Sequence, residues 1–123
     1  MDRFFYYVKI TGGCIMVQQK SLTPSEEYVM KAIWECKKEP VLRDVLHQVN
    51  DVHGKEWAPQ TVSTYLSRLC QKGYILLQRS GKTYSYKILV TEREYQKSQL
   101  KRMLVFIYND DAVLLNEDLE ELK

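Results

Sequence analysis

The chain has 123 residues, a net charge of +2 and 45% hydrophobic residues, values typical of one small globular domain with a short appendage. No stretch approaches the roughly 18 to 20 apolar residues that span a bilayer, so an integral membrane protein is not expected. Three widely spaced cysteines do not suit a disulfide framework and favour a reducing, cytoplasmic location. His47 and His53 lack the tight spacing of zinc ligands, and no metal or other cofactor is expected.

The first 15 residues, MDRFFYYVKITGGCI, are rich in aromatic side chains and show no clear helical or strand period. A signal peptide would need an apolar core of roughly 7 to 15 residues, and the apolar run here stops at Lys9. We therefore expect residues 1–21 to form a loosely ordered N-terminal extension.

Three helical patterns follow. Thr23 can cap a helix, Pro24 suits its first position and Glu26 can bond back to the cap residue. A second helix is predicted over 41–50, with a turn at 50–54, and a third over 59–72, ended by Gly73. The predicted buried stripes are Val29, Ala32, Ile33 and Cys36, then Leu42, Val45, Leu46 and Val49, then Val62, Tyr65, Leu66 and Leu69.

The period of the pattern then shortens from 3.6 residues to about 2, which predicts a β-hairpin. Its strands are expected over 74–79 and 83–90, with a turn at 80–82. Because two strands alone are marginally stable, the hairpin must pack on the helices. Three helices followed by such a hairpin indicate a mainly α fold with a small antiparallel hairpin, the winged helix-turn-helix.

The tail predicts two further helices, one starting at Thr91 with Glu94 as its capping partner and a short one over 116–122, separated by a break at 109–111. Their apolar faces are expected to be buried against a second chain. The residues expected in this homodimer interface are Leu100, Met103, Leu104, Ile107, Leu115, Leu119 and Leu122. The predicted organisation is thus an extension over 1–21, a winged-helix domain over 22–90 and C-terminal dimerisation helices over 91–123.

One face of the third helix is polar but almost uncharged. Thr and Ser are weaker helix formers than Glu or Lys, but Gln, Thr and Ser are uncharged donors and acceptors that suit base edges and phosphates in a major groove. Between Trp57 and Thr91 the chain has no Asp or Glu and five basic residues, and such a surface gains affinity for duplex DNA by counterion release. The basic residues are Arg68, Lys72, Arg79, Lys82 and Lys87. These features predict DNA binding by the third helix and the hairpin.

The residues from about Leu22 to Tyr95 resemble the penicillinase-repressor family of winged-helix transcriptional repressors. The similarity is carried by LTPSEEYVMKAIW, WAPQTVSTYLSRLCQKGYI and GKTYSYKILVTEREY. It implies a dimeric repressor of a palindromic double-stranded DNA operator. By their positions in the family motif, Gln60, Thr61 and Thr64 would face the major groove. The residues that would meet phosphates are Ser63, Arg68, Arg79 and Lys82, and Tyr84 and Tyr86 would mostly build the packed face of the wing.

Three departures from the family pattern stand out. Ala58 replaces the usual Ser or Thr cap of the third helix, which costs about 1 kcal/mol of capping. No cysteine follows Cys70, whereas the copper-sensing branch has a Cys-x-Cys tail. In the β-lactam branch, a membrane sensor-protease pathway leads to cleavage between the last two helices. Here the stretch 109–115 is short and has no Asn-Phe pair, which argues against induction by cleavage and against a full family-type dimer interface.

Two other classes of function are compatible with parts of the sequence. A winged helix can serve as a protein-interaction or accessory module without its own operator, which the short tail would suit. An enzyme is not expected, because the sequence has no Gly-rich phosphate loop, paired metal ligands or nucleophile elbow. Cys70 stands near Arg68 and Lys72, a setting that can lower a thiol pKa and make a redox sensor, although a Cys beside an apolar stripe is more often simply packed.

Overall fold

A computed structural model describes the backbone of residues 3–10, 13–36 and 38–123 and the side chains of residues 20–36 and 38–123. The elements in these ranges are β1 (Arg3–Ile10), β2 (Gly13–Lys20), α1 (Pro24–Glu35), α2 (Leu42–His47), α3 (Pro59–Gln71), β3 (Ile75–Ser80), β4 (Thr83–Ile88), α4 (Glu92–Arg102) and α5 (Ala112–Glu121). Two π-helical segments, Gln48–Val52 and Met103–Ile107, follow α2 and α4. The chain divides into two compact units, 22–92 and 1–21 with 93–123.

Helix α1 starts as predicted. The Thr23 hydroxyl accepts from the Glu26 N–H at 3.2 Å, and the Glu26 carboxylate accepts from the Thr23 N–H at 2.8 Å, closing the capping box. The buried face of α1 includes Val29, Ala32 and Ile33 as expected, together with Met30, which was not predicted. Cys36 lies one residue beyond the helix and is only half-buried.

Helix α2 carries Val45 and the following π-helical segment carries Val49, both fully buried as predicted. Helical backbone continues to Val52, so the predicted turn at 50–54 begins later than expected. The N–H groups of residues 53–55 still donate to the carbonyls of residues 48–50, and these bonds extend the helical winding of the backbone. The other two residues of the predicted stripe, Leu42 and Leu46, are half-buried.

Helix α3 packs with Val62, Leu66 and Leu69 fully buried, whereas Tyr65 is half-buried. It ends as predicted: Gly73 has φ +82°, a conformation that glycine adopts without strain. Tyr74 was predicted to begin the first strand of the hairpin, but it is a fully buried core residue that precedes β3. Its carbonyl accepts from the N–H groups of residues 89 and 90, which closes the base of the hairpin.

Strands β3 and β4 form the predicted antiparallel hairpin, with Ile75 opposite Ile88 and Ser80 opposite Thr83. Its strand β4 is fastened to the connection between α1 and α2, because the Tyr86 N–H donates to the Pro40 carbonyl at 2.9 Å. This bond joins residues far apart in the chain, and no local sequence pattern indicates it.

The tail helices differ from the prediction mainly at the start of α5. Helix α4 begins at Glu92, directly after the predicted cap Thr91, and Tyr95 is buried. Asn109 and Asp110 have positive φ and break the helical backbone as predicted. Helix α5 starts at Ala112 rather than at 116, because Asp111 acts as its cap and its carboxylate accepts from the Leu114 N–H at 3.0 Å.

No regular element was predicted before Leu22, but β1 and β2 pair antiparallel, from Arg3 opposite Lys20 to Ile10 opposite Gly13. Aromatic and β-branched residues on either side of a Gly-Gly pair are a hairpin signal that the interpretation of the sequence overlooked. The loose order of residues 1–21 stays a prediction, and the side chain of Cys14 lies outside the described residues. Among the described helices, none combines the length and apolar character needed to cross a bilayer.

Candidate nucleic-acid interface

The polar face of α3 is open to solvent. Packing of Val62, Leu66 and Leu69 into the core fixes the rotation of the helix and turns this face outward. A shallow concavity is lined by Gln60, Ser63, Thr64, Ser67, Arg68 and Gln71. Among the predicted contact residues, Gln60, Thr64 and Arg68 are exposed, and Thr61 and Ser63 are half-buried.

Two of the side chains on this face are already oriented. The Thr64 hydroxyl donates to the Gln60 carbonyl at 2.9 Å, so its oxygen can act as an acceptor toward a ligand. The Arg68 guanidinium carbon lies 5.6 Å from the centre of the Tyr65 ring, a cation–π contact between residues about one helical turn apart. The half-buried Tyr65 thus supports the cation at the edge of the concavity.

The wing, defined as β3, β4 and their turn, carries its own exposed cations. Arg79 and Lys82 are exposed and do not line the α3 concavity. The Arg79 Nε donates to the Gly81 carbonyl at 2.9 Å, and its guanidinium carbon lies 5.6 Å from the centre of the Tyr84 ring. The wing therefore presents Arg79 in a held conformation beside the Gly81-Lys82 turn.

The prediction that Tyr84 builds the packed face of the wing is wrong. Tyr84 is 52% exposed, whereas Tyr86 is half-buried. Tyr84 pairs with Arg79 near the outer end of the hairpin, while Tyr86 pairs with Leu77 nearer its base. Because the ring of Tyr84 lies under a guanidinium rather than in the core, its contribution is to orient a cation.

Acidic residues from outside the stretch between Trp57 and Thr91 offset part of its positive charge in the folded protein. Lys72 Nζ lies 2.6 Å from Glu26 Oε1, and Glu26 is only 1% exposed. Burial alone would raise the pKa of Glu26, but hydrogen bonds from Lys72 and Thr23 outweigh burial and lower it. Lys72 thus joins the end of α3 to the start of α1, and Glu39 approaches the wing through a hydrogen bond with Gln78.

A further set of contacts, missed in the sequence, holds the connection between α2 and α3. The Asn50 side-chain amide makes two hydrogen bonds to the backbone of Trp57. The Trp57 ring centre lies 6.3 Å from that of Tyr28 and 5.4 Å from that of Tyr65. Apolar periodicity carries no signal for a side-chain amide that bonds to backbone, and only the fold brings these residues together.

The sensor hypothesis for Cys70 is not supported by its surroundings. Burial raises the pKa of the Cys70 thiol and outweighs a backbone hydrogen bond from Leu77, and burial also raises the pKa of Cys36. A raised pKa keeps the thiol protonated, which is the opposite of a reactive thiolate. Within the part of the chain that the structure describes, no three His, Cys, Asp or Glu side chains cluster as metal ligands would.

The tail exposes most of the apolar residues predicted for a dimer interface. The exposed ones are Leu100, Met103, Ile107, Leu119 and Leu122, and the half-buried ones are Leu104 and Leu115. Four more exposed residues, Val105, Phe106, Val113 and Leu114, were not predicted. The π-helical segment Met103–Ile107 and α5 therefore expose more apolar residues than the predicted interface contained.

Comparisons with known proteins agree with this architecture. The sequence profile of the family described as penicillinase repressor matches residues 22–121. The methicillin resistance regulatory protein MecI of Staphylococcus aureus (strain N315) is 27% identical over 106 residues, 81% of this chain and 84% of MecI. MecI of Mammaliicoccus sciuri is 26% identical over the same shares.

A solved structure is also similar, the solution structure of the monomeric form of Bacillus licheniformis BlaI in complex with the blaP half-operator. It matches with a TM-score of 0.51 and 27% identity, over 61% of this chain and 88% of the chain in that structure. The similarity confirms the predicted mainly α, winged-helix fold. Because the family profile covers most of the sequence, this chain belongs to the penicillinase repressor family.

Proposed function

We propose that this chain is a cytoplasmic transcriptional repressor that binds a palindromic DNA operator as a homodimer. The observation that carries the proposal is the polar face of α3, open to solvent while the opposite face is locked into the core. A helix held in this way can enter the major groove without rearrangement of its domain. The DNA complex of BlaI, a protein similar in fold and sequence, supports the proposal.

The contacts divide into two classes. Gln60, Thr61 and Thr64 read base edges, where their short amide and hydroxyl groups match the donors and acceptors of the groove. Cationic and hydroxyl groups at Ser63 and Arg68 on α3, and at Arg79 and Lys82 on the wing, contact phosphates. The exposure of Arg68, Arg79 and Lys82 supports this assignment, whereas Lys72 contributes less because it is paired with Glu26.

Dimerisation is proposed through the exposed apolar surface of the tail. An apolar surface of this kind is costly in water and is typical of a face that another chain covers. BlaI binds a half-operator in its monomeric form, so each protomer of a dimer would read one half of a two-fold symmetric site.

Induction by cleavage is not part of the proposal. The stretch 109–115, where the family pattern has an apolar cleavage segment, holds a tight turn with two positive-φ residues and then the first turn of α5. The apolar residues 113–115 of this stretch thus lie in helical backbone, whereas exposed loops are the preferred sites of proteolytic cleavage.

Selection of bound duplexes from a random pool, followed by footprinting, tests the function. We expect a two-fold symmetric site with half-sites about one helical turn apart. Arg68→Ala and Lys82→Ala should then weaken binding to all duplexes and lower the salt slope by about 1 each. Gln60→Ala and Thr64→Ala should instead relax base preference by about 1 to 3 kcal/mol per contact.

The control is Lys97→Ala, which removes an exposed cation from α4, outside the proposed interface. It should leave both the base preference and the salt slope near their wild-type values. Selection that yields no preferred sequence would refute the repressor proposal and favour a protein-interaction module without its own operator.

A further inference from the structure

One side-chain amide spans the connection between α2 and α3. Asn50 Nδ2 donates to the Trp57 carbonyl at 2.8 Å, and Asn50 Oδ1 accepts from the Trp57 N–H at 2.9 Å. Both bonds are partly buried. A single side chain therefore satisfies both backbone polar groups of the residue that stands two positions before Pro59, the first residue of α3.

The start of α3 has no side-chain cap. Its cap position is Ala58, which makes no side-chain cap bond. Trp57 instead makes contacts in three directions: to Asn50 through its backbone, and through its ring to Tyr28 of α1 and Tyr65 of α3. The position of the first turn of α3 thus depends on where Trp57 is held as well as on the packing of Val62.

We infer that Asn50 is a positioning residue for operator recognition, an inference that rests on the proposed function. The proposed base-reading residues Gln60, Thr61 and Thr64 lie within six residues of Pro59, in the part of α3 nearest Trp57 in the chain. Hydrogen bonds to base edges need donors and acceptors within a few tenths of an ångström of their ideal positions. Attraction to phosphates through counterion release tolerates much larger displacements.

Because base contacts and phosphate contacts differ in their tolerance of displacement, a positioning role of Asn50 can be distinguished from a role in stability alone. Loss of the Asn50 amide should reduce affinity for the selected operator and leave affinity for a random duplex of the same length almost unchanged. Unfolding, in contrast, would lower both affinities together. The ratio of operator affinity to random-duplex affinity is therefore the quantity to measure.

The experiment compares Asn50→Ala with Asn50→Gln and with Gln48→Ala as a control. Glutamine keeps the amide donor and acceptor but carries them on a side chain that is one methylene longer. Gln48 belongs to the same π-helical segment, and its removal deletes an amide of the same chemistry. We expect Asn50→Ala to lower the affinity ratio about tenfold, Asn50→Gln to recover part of the loss, and Gln48→Ala to match the wild type.

Tryptophan fluorescence gives an independent readout. The chain has two tryptophans, so a Trp34→Phe background leaves Trp57 as the single reporter. Asn50→Ala should make Trp57 more accessible to acrylamide quenching, and Gln48→Ala should not. If Asn50→Ala fails to fold, Asn50→Gln decides: we expect its affinity ratio to fall and its Trp57 quenching to rise together.

An unchanged affinity ratio in a folded Asn50 variant whose Trp57 quenching has risen would overturn the positioning role and leave the repressor proposal intact. Equal losses of operator and random-duplex affinity would also overturn it, because they would indicate a structural role only. A wild-type protein with an affinity ratio of one would instead refute the proposed function, and the positioning role would fail with it.

Discussion

The leucines of α3 in the winged-helix unit and the leucines of the tail differ sharply in burial. In the unit formed by residues 22–92, Leu66 and Leu69 on α3 are fully buried. In α5, Leu119 is 43% exposed, and Leu122, directly after the helix, is 84% exposed. Both sets are spaced like one face of a helix, so the spacing specifies that a face must be covered and does not specify by what.

One ion pair from each region shows a similar difference in burial. Glu26 and Lys72 meet inside the winged-helix unit, where the carboxylate is buried. Glu120 and Lys123 meet at 3.1 Å in the tail with their side chains almost three-quarters exposed. A buried charge must keep its partner, whereas an exposed pair contributes little because water and salt screen it.

The largest expected effect is on the core of the winged-helix unit. Leu66→Ala should lower the free energy of unfolding by about 2 to 5 kcal/mol, because it removes buried methyl groups and leaves a cavity between α3 and its neighbours. Urea denaturation monitored by circular dichroism measures the change. Leu76→Ala, at a half-exposed position in the wing, is the control and should cost less than about 1 kcal/mol. Similar losses in both variants would contradict the contrast between buried and exposed leucines.

The next effect concerns the buried ion pair. Glu26→Gln should lower the free energy of unfolding by about 1 to 3 kcal/mol at neutral pH, because charge-assisted bonds to Lys72 and Thr23 are weakened in a buried setting. Glu120→Gln, in the exposed pair of the tail, should change it by less than about 0.5 kcal/mol.

The pH dependence of Glu26 has a definite sign. Its pKa in the folded protein is lowered, so the folded state binds its proton less readily than the unfolded state does. The stabilisation from Glu26 is fully present above the unfolded pKa of about 4.3 and is lost as the pH falls through the folded pKa. The difference in unfolding free energy between wild type and Glu26→Gln should therefore shrink between pH 6 and pH 3. A constant difference over that range would show that the carboxylate charge contributes nothing.

The features predicted correctly are those with a local cause. Thr23, Pro24 and Glu26 fix the start of α1 within four residues, and Gly73 ends α3 because its conformation has positive φ. The polar face of α3 was also predictable, since burial of one stripe determines where the opposite face points.

Some of the missed features depend on contacts between residues distant in the chain. Another depends on a helix-capping residue that also looks like the end of the preceding helix. The Pro40 carbonyl meets Tyr86 across 46 positions, and Lys72 meets Glu26 across the same separation, so neither pairing leaves a periodic signal. Asp111 was interpreted as part of a break, although the same carboxylate caps α5. The exposure of Tyr84 was missed because strand alternation gives the face of a residue and not its distance from the helices.

The smallest expected effect on folding, with a clear effect on function, is in the tail. Leu119→Glu should change the unfolding free energy of a protomer by less than about 1 kcal/mol, because the side chain is already exposed. It should nevertheless shift the protein from dimer to monomer in sedimentation velocity, since a carboxylate would be buried in an apolar interface. Affinity for a full palindromic operator should fall about tenfold, and affinity for a half-operator should stay within twofold.

Asn116→Glu adds the same charge at an exposed position of α5 outside the predicted stripe and should leave the proposed dimer intact. A Leu119→Glu protein that is still dimeric would place the dimer interface elsewhere, and the exposed leucines of the tail would then require a different partner.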